Sequence, residues 1–179
     1  NLENGDPDFI KYMKSIDPSL TIYNAMIPFL VSIIEFMFKE SFLVLIRYDA
    51  EAQEKIKKAN LKIPLDRVIQ VKNKELLIEE LIAETFTFQN INQTSKAYKD
   101  YLDIDIRKIF YIKKKINNKI FRMMDKIEEI IQLRHSIIHH FGYYTDLDQE
   151  LFLLYLNVID SAHKLFIESL QKKYNWKIE

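Results

Sequence analysis

Glycine and proline are scarce in this chain, which has 2 glycines and 4 prolines in 179 residues. Tight hairpins and the corners of β-sandwiches and barrels use these residues heavily, so β-rich folds are nearly excluded. Hydrophobic residues make up 48% and charged residues 29% of the sequence, a composition typical of a globular domain. The predicted fold class is therefore all-α, a helical bundle of about five to six helices.

The composition also excludes several kinds of chemistry. Gly5 and Gly142 stand far apart, so the chain has no glycine-rich phosphate loop. It has no cysteine, which excludes disulfides, iron–sulfur clusters, thiol catalysis and cysteine-based zinc sites. The 26 basic residues balance 26 acidic ones, which disfavours coating nucleic acid by bulk charge but allows a local basic groove. With no visible signal peptide, a cytoplasmic location is expected.

The chain is expected to form a lead-in segment, residues 1–18, and a single all-α domain over residues 19–179. Ser19 is the predicted N-cap of a long apolar helix from Leu20 to Ile46. The uncharged run over residues 18–34 has about the minimum length of a membrane span. Charged residues follow it at once, so a helix surrounded by other helices is preferred and no membrane partner is expected.

Further helices are predicted downstream, separated by turn-prone segments. Their approximate ranges are 50–60, 74–85, 95–102, 105–141 and 147–173, while residues 65–71 fit a short strand or a helical turn. Gly142 is expected to end the longest helix as a left-handed C′ residue. Thr145 and Asp148 have the spacing of a capping box for the last helix.

The longest predicted helix carries an arginine within its apolar stripe. Apolar residues recur at spacings of three and four from Ile109 to Phe141, so this face is predicted to be core. Arg134 falls in the middle, and a guanidinium cannot lose its proton to avoid burial. Arg134 is therefore expected to be mostly buried with a carboxylate within salt-bridge reach, or else to face the same motif of a second copy of the chain. Glu35 and Glu40 are the expected acidic partners.

Three of the four histidines lie within six residues near the end of this helix. His135 and His139 are four residues apart and share a face, whereas His140 is displaced by about 100°. One interpretation is a solvated cluster favoured by the helix dipole. A second is zinc chelation, although Ser136 stands where a zinc-protease motif needs glutamate. The third is acid–base chemistry on an anion by Arg134 and His139.

The segment IIQLRHSIIHHFG, residues 130–142, places Arg134 and His139 at an Arg-x4-His spacing just before a glycine. It resembles the signature of the HEPN superfamily (higher eukaryotes and prokaryotes nucleotide-binding), in particular the RiboL-PSP and MAE-type groups. The resemblance covers roughly residues 20–173. It implies an all-α homodimer whose Arg and His form, in many members, a metal-independent endoribonuclease site.

This resemblance implies cleavage of RNA in a toxin–antitoxin or antiviral defence role, with no metal and no cofactor. The 2′-OH of RNA would attack the neighbouring phosphate and leave a 2′,3′-cyclic phosphate and a 5′-OH. His139 would transfer protons and Arg134 would stabilise the phosphorane, with His135 and His140 in support. Residues i and i+5 of one helix point about 140° apart, so two copies across a two-fold axis are expected to complete the site.

Five cations precede the motif and form a basic stripe if this region is helical: Lys108, Lys114, Lys115, Lys119 and Arg122. The stripe is expected either to follow an RNA backbone or to be a solvated helix face. The expected partners are RNA, a second copy of the chain, and an antitoxin or other defence-system protein. The alternative function is a non-catalytic HEPN module that dimerises or binds a nucleotide or partner.

Overall fold

The computed structural model describes residues 7–15, 17–59 and 62–176. Helices make up 74% of the structure, and the strands within these ranges form one two-stranded sheet, so the all-α prediction is confirmed. The described residues form nine helices instead of five or six. Residues 1–6 and 16 of the predicted lead-in segment lie outside the described ranges.

The elements follow one another in chain order. They are α1 (Pro7–Ser15), α2 (Pro18–Tyr48), α3 (Ala50–Lys58), α4 (Leu65–Lys72), α5 (Ile78–Ala83), α6 (Ile91–Leu102), α7 (Ile106–Phe110), β1 (Lys113–Ile116), β2 (Lys119–Arg122), α8 (Met123–His140) and α9 (Gln149–Tyr174). Residues 65–71 are thus helical. α5 starts later than predicted because Lys74 has a positive φ of 62°, and the Glu80 carboxylate caps the helix by accepting from the Leu77 N–H.

Two predicted helix caps are wrong. Asp17, not Ser19, caps α2: its carboxylate accepts from the Ser19 N–H at 2.8 Å, and Pro18 occupies the first helical position, where its missing N–H costs nothing. Asp148 is itself the N-cap of α9 and accepts from the Leu151 N–H at 2.9 Å. α9 therefore begins at Gln149, and Thr145 is not the residue that caps it.

The chain divides into two compact units, residues 1–33 with 110–179 and residues 34–109. In the second unit, the Phe42 ring lies 5.5 Å from the rings of both Phe88 and Tyr98. The Tyr98 hydroxyl donates to the Phe38 carbonyl at 2.6 Å, which satisfies a buried polar group. The single domain over residues 19–179 stays a prediction.

The first unit contains the Arg-x4-His segment. In it α8 packs against α9, and the hairpin contacts α8 through β2 and α9 through β1. The buried Asn24 side chain of α2 donates to the Tyr144 carbonyl at 3.0 Å and accepts from the Tyr144 N–H at 2.9 Å. These two bonds fasten the segment that follows α8 to α2.

The long helix predicted over residues 105–141 is wrong. α7 ends at Phe110, a β-hairpin follows, and α8 begins at Met123. Asn117 and Asn118 have φ values of 47° and 63°, as a type I′ hairpin turn requires at both central positions. Asparagine tolerates this conformation almost as well as glycine does. The scarcity of glycine therefore did not exclude a hairpin.

The apolar face of α8 belongs to the core only in the first half of the helix. The buried apolar residues there are Met123, Met124, Ile127 and Ile130. Ile138 is 41% exposed and Phe141, just after the helix, is 91% exposed. The continuous core stripe predicted from Ile109 to Phe141 is therefore wrong at both ends.

Candidate functional site

Arg134 lies in the second half of α8, where the helix leaves the core. It is half-buried, and most of its surface is covered, in agreement with the predicted burial. Water can reach a guanidinium at such a position while the side-chain stem covers apolar surface. Among the described residues of the first unit, no ion pair includes Arg134. Glu35 and Glu40 belong to the other unit, and their pairing with Arg134 stays a prediction.

The three histidines of α8 form an exposed cluster. The His135 ring centroid lies 4.6 Å from that of His139 and 5.4 Å from that of His140. All three side chains are exposed. Within the described ranges, no group of three or more His, Asp or Glu side chains is arranged to hold a metal ion. The cluster is thus an array of three imidazoles that solvent can reach.

Arg134 and His139 do not converge within one copy. α8 stays helical through His140, so the two side chains point about 140° apart. Arg134 and His139 of one copy therefore do not face a common point on the surface of α8.

The end of α8 differs from the prediction in one residue. Phe141, not Gly142, takes the left-handed conformation, with φ 52° and ψ 33°. The N–H groups of both residues donate to the Ser136 carbonyl. A side chain at Gly142 would crowd Ser136, since a Cβ there would lie 2.7 Å from the Ser136 Oγ and 3.2 Å from its carbonyl oxygen.

A cleft of about 500 Å³ opens between α8, α9 and the segment joining them. Its lining residues are Glu129, Gln132, Leu133, Ser136, Tyr144, Asp146, Leu147, Leu151 and Tyr155. This volume is within the range of small-ligand sites. On the helix, His139 is displaced by about 60° from Ser136, whereas Arg134 lies about 160° away from it. The cleft is therefore beside the histidines and faces away from Arg134.

Two hydrogen-bonded groups fix one wall of this cleft. The Tyr155 hydroxyl donates to the Glu129 Oε1 at 2.8 Å, and the Lys126 Nζ lies 2.6 Å from the Glu129 Oε2. Burial raises the pKa of Tyr155, and the hydrogen bond to the Glu129 carboxylate raises it further. Tyr155 therefore remains a protonated donor at neutral pH.

The five cations predicted to form one basic stripe on a helix do not share a helix. Lys108 lies in α7, in the second unit, while the other four cations lie on the hairpin. Strand alternation places Lys115 and Arg122 on one face, and Lys114 and Lys119 on the other. Lys119 also contacts Glu150 at 3.6 Å.

Sequence reasoning missed Tyr111, Lys113 and Ile120, which join Lys115 and Arg122 on the outward face of the hairpin. The available signal was the pair Asn117-Asn118, which separates two short β-prone runs. A two-residue turn of this kind is typical of a hairpin.

No protein-family model matches the sequence, and no curated protein or solved structure matches it significantly. Within the described ranges, the helices are too short or too polar to cross a membrane.

Proposed function

We propose that this protein is a metal-independent endoribonuclease of the HEPN type. The observation that carries the proposal is the position of Arg134 and His139 on the last two turns of α8. Both lie where the helix emerges from the core, so solvent and a substrate can reach them.

The chemistry uses only groups that this chain supplies. The 2′-OH of RNA attacks the adjacent phosphorus while an imidazole removes its proton. Arg134 stabilises the additional negative charge of the phosphorane, and a second imidazole protonates the departing 5′ oxygen. His139 is assigned proton transfer, and His135, whose ring adjoins it at 4.6 Å, is assigned to its orientation. His140 is the weaker alternative to His139.

Two copies would place the Arg134 of one opposite the His139 of the other. A suitable contact surface is present on α2, where exposed apolar side chains recur at spacings of four, three and four residues. They are Ile22, Met26, Phe29 and Ile33. This is the spacing of a helix seam that packs against another helix, and exposed apolar patches of this kind mark association surfaces. The homodimer is part of the proposal.

A metal-independent ribonuclease of this kind fits a toxin or an antiviral defence protein in the cytoplasm. Its activity would have to be restrained by an antitoxin or another defence-system partner. Phe141 occupies the position of the tyrosine in HEPN toxins with an Arg-x4-His-x-Tyr motif. We therefore do not assign its restraint to tyrosine modification.

The decisive test is cleavage of an end-labelled single-stranded RNA in EDTA by matched variants. His139→Ala should reduce the cleavage rate by about a hundredfold or more, and Arg134→Ala by about a hundredfold to a thousandfold. The product should carry a 2′,3′-cyclic phosphate. His163→Ala, which changes the histidine of α9 outside the cluster, is the control and should cut at the wild-type rate.

Wild-type rates in the His139→Ala variant would show that His139 is not the proton-transfer group. If pure wild-type protein cuts no RNA under any condition, the non-catalytic alternative is the better function. The 500 Å³ cleft favours that alternative, since it has the size of a small-molecule site beside the histidines. A thermal-shift screen with nucleotides tests it.

A further inference from the structure

The outward face of the hairpin brings cations and an aromatic ring together. Lys113 pairs with Arg122 and Lys115 with Ile120 in the strand register, so these four side chains share one face. The Arg122 guanidinium lies 4.9 Å from the centre of the Tyr111 ring, which places Tyr111 beside them. All five side chains are exposed; we call this set the hairpin face.

The positive charge of the hairpin face is largely uncompensated. Among the described residues, neither Lys113 nor Lys115 has an ion-pair partner, and Arg122 has only a 3.8 Å contact with Asp125. Like charges on neighbouring strand positions repel each other. The face therefore gains free energy from any polyanion that lies along it.

The exposed apolar side chains of the hairpin face indicate which kind of polyanion fits it best. Tyr111 is 66% exposed and Ile120 is 69% exposed. An exposed aromatic ring beside cations is the arrangement that stacks an unpaired base while the cations contact phosphates. Paired bases in an A-form duplex are not accessible to such a ring, since its major groove is deep and narrow.

We propose that the hairpin face binds single-stranded RNA. Lys113, Lys115 and Arg122 contact the phosphates, and Tyr111 stacks on a base. The inference deepens the proposed function and rests on it for the choice of RNA, because phosphate contacts and stacking also hold a DNA strand. The binding itself does not depend on cleavage.

The experiment measures binding of a labelled single strand of about 12 nucleotides by fluorescence anisotropy. The strand is 2′-O-methylated RNA, whose blocked 2′ oxygen cannot attack phosphorus, so no variant can cut it. Loss of two phosphate contacts in 0.1 M salt should weaken the affinity of Lys113→Gln/Lys115→Gln by roughly twentyfold, given a slope of about −0.7 per contact. Tyr111→Ala should weaken it by at least about fivefold, and Tyr111→Phe should bind as wild type.

The matched control is Lys57→Gln/Lys58→Gln, which removes the same charge from the exposed end of α3 and should keep the wild-type affinity. Equal weakening in this control, or no weakening in Lys113→Gln/Lys115→Gln, would overturn the inference. So would competition by polyglutamate or a duplex as strong as that by the single strand, since these results indicate an acidic protein or a general polyanion surface.

The two proposals fail separately. His139→Ala should bind the methylated strand as wild type does. If wild-type protein binds through the hairpin face but cuts nothing, the ribonuclease proposal is wrong and the binding surface stands. If it cuts RNA and the hairpin variants bind and cut as wild type, only the hairpin inference is wrong.

Discussion

At the scale of single residues, the end of α8 differs from the helix end that the sequence predicts. Phe141 takes the left-handed conformation that was assigned to Gly142, although such a conformation costs a bulky residue about 1 kcal/mol or more. Gly142 cannot be replaced without moving Ser136, because a side chain there would meet the Ser136 Oγ at 2.7 Å. The N–H groups of Phe141 and Gly142 donate to the Ser136 carbonyl and close the end of the helix directly after His139 and His140.

Tyr155 and Glu129 provide a test at this scale. Tyr155→Phe removes a hydrogen bond to a carboxylate and should lower the free energy of unfolding by about 1–2 kcal/mol at pH 7. Because the pKa of Tyr155 is raised in the folded state, its contribution is fully present below the ordinary tyrosine pKa of about 10 and is lost as the pH rises above that value.

Urea unfolding of wild type and Tyr155→Phe from pH 7 to pH 11 measures both effects. The wild-type protein should lose more stability than the variant over the alkaline part of this range. Glu129→Gln keeps a neutral acceptor and should show an intermediate loss at pH 7. An alkaline stability loss that is identical in wild type and Tyr155→Phe would contradict the raised pKa of Tyr155 in the folded state.

At the scale of elements, the hairpin is the feature that changes the interpretation of the chain. Residues 113–122 are mostly Lys and Ile, and their apolar spacing fits a helix as well as two short strands. The strand pairing buries Ile116 and leaves Ile120 exposed. It also divides the basic residues between two faces, which creates the hairpin face.

The substitution Asn118→Gly distinguishes a hairpin from a continuous helix, because the two structures predict changes of opposite sign in the free energy of unfolding. In a type I′ turn, Asn-Gly is the preferred pair, so the change should raise the free energy of unfolding by about 0.5–1 kcal/mol. In a continuous helix the same glycine would lower it, since glycine is among the poorest helix formers. Chemical denaturation measures the difference, and Glu168→Gly, at an exposed position within α9, is a helical control expected to destabilise.

At the scale of the whole molecule, the candidate chemistry depends on association. One copy separates Arg134 and His139 around α8, whereas the exposed seam of Ile22, Met26, Phe29 and Ile33 on α2 fits a helix from a second copy. Catalysis and dimer formation should therefore be lost together when this seam is disrupted.

Phe29→Asp tests this dependence, since Phe29 is 61% exposed and its replacement should disturb the fold of one copy little. Analytical ultracentrifugation should show a wild-type dimer and a variant monomer, with RNA cleavage reduced about a hundredfold or more. Leu65→Asp, at an exposed apolar residue of α4, is the control and should remain dimeric. A wild-type monomer that cuts RNA would refute the two-copy site.

Local sequence determined much of this protein. Helical hydrogen bonds form between residues four apart, so the 3.6-residue periodicity and the scarcity of glycine indicate the all-α class and helices at α2, α8 and α9. They do not indicate that α8 begins only at Met123. The same periodicity sets His135 and His139 on one face of α8. These features require no knowledge of what packs against the helix.

Tertiary structure decided what depends on residues distant in sequence. The buried face of α8 ends halfway along the helix, which leaves Arg134 half-buried. The periodicity of the sequence shows which face of a helix is apolar, but not how far along the helix other elements cover that face. Asn24 fastens Tyr144 across 120 positions of the chain, a contact that sequence spacing does not indicate. The hairpin turns at Asn117 and Asn118, where the backbone has positive φ. Its strand pairing buries Ile116, and the spacing of residues in this Lys-rich segment does not indicate that burial.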